Sequence, residues 1–457
     1  MFMLMIDGRS SGFAFLMLTI STLVTLIIII LNINYAWVSS VLREPEFHPA
    51  DEIRGAISNH LRGVKIGFGL TGSVAIYRII DVMRELIRRG ADVYAVMSKA
   101  ATELINPTLI EWAIGSKVLT EFKGEVGHVS LSKEVSSFTI APATADIISK
   151  LAHGICDNPV SLTAVNLLGL GKAVTLVPAM HSGLWYSPPV SEAMKKLSEF
   201  GVVVVPPDVS GGRAKLPEND DILAAIEATT LRGRDLKNLK ILVTAGPTRE
   251  YLDRVRFLSN ASSGKMGIAI AREAYFRGAD VTLVHGPTSA RIPHYVRSFS
   301  VTTTEDMLNV LLSEVRSREY DAVVLAAAPA DFRFKKYFGG KIKSEEGSLT
   351  VELEPTPKIS LNLRREFSGL LVGFAAEVVE GDMNRLVGLA LDKLEKRGFD
   401  IIVANDVSRD DVGFTVDYNE VVLISKRGYK ELVSKSLKEV VARKILDLIK
   451  EELKIAR

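Results

Sequence analysis

The sequence predicts an α/β protein made of two tandem Rossmann-like, doubly wound domains, preceded by an apolar N-terminal extension. Three observations predict it. From Gly63, and again from Leu239, short apolar runs alternate with amphipathic helical stretches, the order that gives a parallel sheet with right-handed crossovers. Each half opens on a strand leading to a Gly- and Ser-containing turn before a helix, around Gly72 and around Gly264. Between the halves the composition turns polar from Pro207 to Asp221 and charged from Arg232 to Lys237. The implied division is 1–62 as extension, 63–232 as first domain and 233–457 as second.

In the first half, Val64 to Leu70 reads as a strand, Ser73 to Arg89 as a helix and Asp92 to Ser98 as the next strand. Ser137–Ala141, Ala173–Val177 and Val202–Val205 continue the series, and Ile222 to Leu231 is helical. In the second half the strands read as Lys240–Thr244, Asp280–Val284, Ala322–Ala326, Leu370–Phe374, Ile401–Ala404 and Glu420–Ile424. An amphipathic helix from Ser434 to Leu453 closes the chain. Continuous apolar runs of this length mark strands buried on both faces.

Residues 13–38 are apolar and long enough to span a bilayer, with no charged residue from Ser10 to Leu42. Two readings stand: a membrane anchor, or a start codon assigned too far upstream of an otherwise cytoplasmic protein. At 457 residues the chain has ample core, and its net charge of +2 without like-charge blocks gives no sign of nucleic-acid binding. The single cysteine, Cys156, excludes an internal disulfide and a multi-cysteine zinc site. A small unpaired thiol is expected in the core.

Two turns carry candidate chemistry. Arg256 to Gly267, R-F-L-S-N-A-S-S-G-K-M-G, joins a buried strand to a helix on which Ile268, Ile270, Ala271, Ala274 and Tyr275 recur until Gly278. Backbone N–H groups and a helix N-terminus at such a loop suit a phosphate; a plain polar connection is the competing reading. Gly67-Phe68-Gly69-Leu70-Thr71-Gly72 is a formal G-x-G-x-x-G, but the following strand ends in Val96-Met97-Ser98 without the acid that holds an adenosine ribose. A mononucleotide such as a flavin therefore suits the turn better than NAD, and a tight turn using glycine only for packing is the alternative.

These motifs, taken in order, resemble a known pair of enzymes. Gly72-Ser73-Val74-Ala75-Ile76-Tyr77, His128-Val129-Ser130-Leu131, Ala141-Pro142-Ala143-Thr144-Ala145-Asp146 and Pro178-Ala179-Met180 are similar to phosphopantothenoylcysteine decarboxylase flavoproteins. Ser259 to Gly267 is similar to phosphopantothenate–cysteine ligase. Together they resemble the bifunctional family of coenzyme A biosynthesis over nearly all of the chain after residue 63.

For the first domain the resemblance implies an FMN site at Gly72, Ser73, Ser98, Ala143 and Thr144, and substrate contacts at Met180 and His181. A saturated cysteine carboxylate loses CO₂ only if the resulting carbanion is stabilised, and a flavin that first oxidises the thiol supplies that stabilisation without net redox change. His128 matches the family's acid/base histidine. His181 stands where bacterial and eukaryotic relatives carry asparagine, and the substrate flap, Ser210-Gly211-Gly212-Arg213-Ala214-Lys215, lacks the family's cysteine.

For the second domain the resemblance implies activation of the 4′-phosphopantothenate carboxylate by CTP and magnesium as an acyl-cytidylate, followed by attack of the cysteine amine. Asn260 matches the residue that holds the acylated intermediate and Arg256 its partner. Asp331 falls at the cytidine, Lys341 neutralises charge during acyl transfer, and Lys343 lies in the same mobile loop, where Ser344 replaces a final lysine. Phe374 and Asn405, at strand ends, are implied nucleotide contacts, whereas Glu377 and Asp417 read as solvated or structural. Metal ligands are not identified. The resemblance also implies a homo-oligomer of trimeric flavin domains and dimeric ligase domains. Two other classes compete: a regulatory flavoprotein fused to an active ligase, favoured by the missing flap cysteine, and an NAD-dependent dehydrogenase, favoured by the glycine turn.

Overall fold

The structure, a computed structural model, describes residues 48–121, 127–343 and 347–456. Two compact units are present. The first, Met1–Glu52, contributes only the helical turn Pro49–Glu52, so the apolar segment 13–38 lies outside the described residues. Among the described residues no helix is long and apolar enough to cross a membrane. Everything below concerns the second unit, Ile53–Arg457.

Its first half holds β1 (Lys65–Leu70), β2 (Asp92–Met97), β3 (Val118–Leu119), β4 (Ser137–Ala143), β5 (Ala173–Pro178), β6 (Met180–His181), β7 (Val203–Val204), β8 (Asp208–Ser210) and β9 (Arg213–Lys215). Six of these form a parallel sheet in the order β3-β2-β1-β4-β5-β7. The winding direction reverses between β1 and β4, which opens a crevice beyond the strands' carboxyl ends. Phe138, Ile140, Val160 and Leu176 pack in the core behind it.

Two of the three glycines in the G-x-G-x-x-G run serve this packing. Gly67 and Gly69 lie inside β1, where an added Cβ would come within 2.7 Å of Phe138 and 2.6 Å of Val160. Only Gly72 sits at the turn. The helix expected from Ser73 to Arg89 is split into a 3₁₀ turn, Val74–Arg78, and an α-helix, Ile79–Arg88.

The second half holds β10 (Lys240–Ala245), β11 (Arg249–Tyr251), β12 (Phe257–Ser259), β13 (Asp280–His285), β14 (Arg297–Ser300), β15 (Ala322–Leu325), β16 (Phe332–Phe334), β17 (Leu353–Pro355), β18 (Leu370–Glu377), β19 (Ile401–Asp406), β20 (Tyr418–Ser425) and β21 (Lys430–Leu437). Eight strands form one sheet in the order β14-β13-β10-β15-β18-β19-β20-β21, parallel as far as β19 and antiparallel after it. The reversal here falls between β10 and β15. One expectation is corrected at the end of the chain: residues 434–437 belong to β21, and the last helix is Lys438–Ala456.

The two halves meet over buried charge rather than over a flexible linker. The helix Asn219–Leu231 carries Glu227, whose carboxylate accepts from Arg89 Nη1 (2.7 Å) and from Arg443 Nη2 (3.1 Å), with His60 Nε2 2.8 Å away. Arg443, on the last helix, also donates to Glu273 of the helix Lys265–Phe276 (2.9 Å). Burial alone pushes the Glu227 carboxyl up, but Arg89, His60 and Arg443 outweigh it and hold the group far below the usual carboxylate range.

Candidate functional site

In the first domain, the expected cofactor residues converge at the carboxyl edge of the sheet. Gly72 and Ser73 follow β1, Ser98 follows β2, and Ala143 and Thr144 end β4. Thr71 Oγ1 donates to the Pro142 carbonyl (2.5 Å), and the Ala179 N–H donates to Ala143 (3.2 Å), so the ends of β1, β4 and β5 are fastened together. Ser73, Ser98 and Thr144 each cap a helical segment, accepting from the N–H groups of Ala75, Ala101 and Ile147. An added Cβ on Gly72 would lie 2.6 Å from that of Ala100, so two turns come close only because no side chain is there. N-terminal N–H groups at a switch-point crevice are the donor set that a flavin phosphate requires.

Met180 and His181 form β6, which pairs with β9 so that His181 faces Arg213 in register. Residues 208–215 are thus a hairpin whose tip, Gly211-Gly212, takes positive φ at both positions (58° and 73°). The sequence places the flap at Ser210–Lys215 by resemblance but assigns it no strands; the Gly-Gly pair between short strand-like runs is the signal for the hairpin. His128 is half-buried near the start of the helix Gly127–Glu134. Cys156, expected in the core, is exposed: it lies in the loop between the helices Ala145–Ala152 and Pro159–Gly169, its thiol donating to the Gly154 carbonyl (3.4 Å).

In the second domain a cavity of about 590 Å³ opens at the switch point between β10 and β15. That is within the range of small-molecule sites, roughly 300–1,000 Å³. Asn260, Asp331, Phe374 and Asn405 all line it. Asn260 Nδ2 donates to the carbonyls of Ala328 (3.2 Å) and Pro329 (3.0 Å), tying the loop after β10 to the loop after β15. Gly264 begins the helix Lys265–Phe276 at φ 80°, and a Cβ there would lie 2.4 Å from Thr288 Oγ1.

Five cations also line the cavity: Lys265, Lys358, Lys393, Arg397 and Lys438. Lys358 donates to Asp331 (2.5 Å) and Lys265 to Asp417 (2.6 Å). Lys438 is buried, donates to the Val416 carbonyl (2.5 Å), and is pushed down to about 8 by that burial and by the nearby Lys265. None of the five was singled out by the sequence as a site residue: Lys265 lies unremarked inside the Ser259–Gly267 motif, and the other four are brought to the cavity by tertiary packing, which leaves no local pattern. Among the described residues no cluster of three or more His, Cys, Asp or Glu is placed to hold a metal.

Arg256, Lys341 and Lys343 do not line this cavity. Lys341 and Lys343 are exposed, and Arg256 donates to Asp253 (2.8 Å) and to the Ile342 carbonyl between the two lysines (2.9 Å).

A flavin-type crevice in one domain and a cationic nucleotide-sized cavity in the next define a two-domain flavoprotein fusion. Residues 54–231 match the family described as Flavoprotein, and residues 236–453 match the DNA/pantothenate metabolism flavoprotein C-terminal domain. The chain is 40% identical over 402 residues to the coenzyme A biosynthesis bifunctional protein CoaBC of Thermococcus kodakarensis, covering 87% of this chain and 97% of that one. It is 34% identical over 406 residues to the protein of the same name from Escherichia coli, covering 85% and 97%. A crystal structure of the C-terminal domain of a CoaBC protein is similar at 36% identity and a TM-score of 0.41, covering 48% of this chain and 98% of that chain. The chain belongs to the bifunctional coenzyme A biosynthesis family, which combines a ligase with a flavin-dependent decarboxylase.

Proposed function

We propose that the second domain condenses 4′-phosphopantothenate with cysteine at the expense of CTP, and that the first domain decarboxylates the product with FMN. The observation that carries the ligase reading is the single cavity that joins Asn260, Asp331, Phe374 and Asn405 to five cations. 4′-Phosphopantothenate and CTP are both polyanions, and a carboxylate condenses with an amine only after activation. Asn260 would hold the activated acyl group, Asp331 the cytidine ribose, and Phe374 and Asn405 the base. Magnesium would arrive on the triphosphate, which suits an ion that keeps phosphate and water ligands rather than an all-protein cage. Lys341, with Lys343 beside it, would neutralise charge as the amine attacks, and Arg256 would support that loop.

In the first domain, Gly72, Ser73, Ser98, Ala143 and Thr144 would hold the FMN phosphate and ring system. When bound, FMN supplies the reversible thiol oxidation that makes CO₂ loss feasible. His128 would move a proton at the substrate sulfur, and Met180 and His181 would grip the carboxylate beneath the flap hairpin. Val74 and Tyr77, 77% and 67% exposed beside this edge, would pack against further copies of the flavin domain in a trimer, and the ligase domains would pair as dimers. The reactions are assigned to the cytoplasm. The test is one assay with 4′-phosphopantothenate, cysteine, magnesium and either CTP or ATP, reading pyrophosphate and CO₂. Pyrophosphate without CO₂ would leave the regulatory-flavoprotein reading in place of the decarboxylase.

A further inference from the structure

We propose that Asp253 is a positioning residue for the ligase, latching the segment that carries Lys341 and Lys343 through both backbone groups of Ile342. This rests on the reading above that Lys341 acts in acyl transfer.

The Asp253 side chain has no solvent exposure. Its Oδ1 accepts from the N–H groups of Val255 and Arg256, both at 2.7 Å, which closes a local turn. A turn needs nothing more. Yet Oδ2 accepts from Arg256 Nη1 (2.8 Å) and from the N–H of Ile342 (3.2 Å), 89 residues further along the chain. Arg256 Nη2 completes the pair by donating to the Ile342 carbonyl at 2.9 Å. One residue of the loop therefore has its donor and its acceptor both taken by side chains of the Asp253–Arg256 turn, as a neighbouring strand would take them.

A second fastening lies four residues earlier. The Phe338 N–H donates to the Leu252 carbonyl (2.8 Å), and Asp253 and Phe338 form an isolated parallel bridge. Between the two fastenings run Gly339, Gly340 and Lys341; an added Cβ at either glycine would meet nothing within 4 Å. Glycines in open space give the segment little stiffness of its own. The exposed ends of Lys341 and Lys343 are set by the latch. The N–H donors of Arg256, Val255 and Ile342 together hold the Asp253 carboxyl below its usual range despite burial, so it accepts as a full anion at neutral pH.

The test uses the full-length protein with Asp253→Asn, which keeps the volume but replaces an acceptor oxygen by a donor NH₂ facing other donors. Limited trypsin digestion should cut after Lys341 and Lys343 at least tenfold faster than in the parent, with cleavage elsewhere unchanged. Pyrophosphate release in the absence of cysteine should stay within twofold, while acyl transfer to cysteine falls about tenfold. Asp253→Asn combined with Lys341→Gln should transfer no more slowly than Lys341→Gln alone, because a displaced loop and a missing amine remove the same contact. Unchanged cleavage at Lys341 and Lys343, or transfer losses that multiply in the double variant, would overturn the proposal. Should Asp253→Asn fail to fold, Asp253→Ser, which offers one oxygen to the Val255–Arg256 turn and none to Ile342, takes its place with the same readouts and the same two overturning results. If the parent releases no pyrophosphate from CTP, the ligase reading fails, and the trypsin comparison still decides whether the latch exists.

Discussion

The two domains share a doubly wound sheet with a switch point, yet they arrange their candidate residues in opposite ways. In the second domain, Asn260, Asp331, Phe374 and Asn405 line one cavity of about 590 Å³, and Asn260 itself bonds the two loops that flank the switch point. In the first, the cofactor residues form an edge fastened strand end to strand end, the substrate residues pair with an exposed hairpin, and His128 stands on another helix. The same fold can thus gather candidate residues around one cavity or set them along a shelf of strand ends.

The comparison breaks most visibly at Asn260. Asn260→Asp replaces a donor to two carbonyls with an anion facing anionic substrate. Ligation should fall by more than about 10³-fold, read as cysteine-dependent product formation, with flavin content and decarboxylation intact. Next is His128→Asn: removing a general acid/base should cost decarboxylation about 10²–10⁴-fold while the protein stays yellow with stoichiometric FMN. A colourless variant would mean that His128 builds the shelf rather than working above it.

The third prediction concerns what joins the two sites. Because the Glu227 carboxyl is held below its unfolded value, its contribution is present above the ordinary glutamate range, near pH 4.3, and is lost as pH falls through the depressed folded value. Thermal unfolding followed from pH 7 downward should show the two domains losing stability together. Glu227→Gln should cost about 3–5 kcal/mol at pH 7, since Arg89 and Arg443 are left buried beside a neutral group. Two separate calorimetric transitions in the parent protein would contradict a coupled pair. The smallest effect is expected at Cys156: it is exposed in a surface loop that is not part of the flap hairpin, so Cys156→Ser should leave both half-reactions within about twofold. Accumulated ene-thiol product with the flavin left reduced would show that this thiol has taken the role of the absent flap cysteine.

The central strands were legible because each is buried on both faces, so runs such as Ile241-Leu242-Val243 need no alternation to be seen. The parts that escaped are short or marginal. β21 alternates exposed Lys430, Leu432 and Ser434 with more covered positions, and its lysines suit a sheet edge, so its end was absorbed into the helix that follows. The hairpins Arg249–Tyr251 with Phe257–Ser259 and Asp208–Ser210 with Arg213–Lys215 are three residues a side, below any useful period. Candidate residues named through the motif resemblance, such as Asn260 and Ser73, do fall at the cavity and at the turn after β1. Lys438 and Asp253 were not legible, since what distinguishes them is burial beside partners far along the chain. Cys156 was misread because residue type predicts burial only on average, and a surface loop overrides it.

The ion cluster between the halves also sets an order of events during synthesis. Glu227 and Arg443 are 216 residues apart, and the helix bearing Arg443 is the last element of the chain. At about 5–20 residues per second, the flavin domain emerges with Glu227 satisfied from its own side, among the described residues, by Arg89 and His60, and waits on the order of ten to forty seconds for Arg443. The nascent first domain is therefore completed by a helix translated long after it, so a ribosome that stalls before Arg443 leaves that earlier domain short of a cation it was folded to receive.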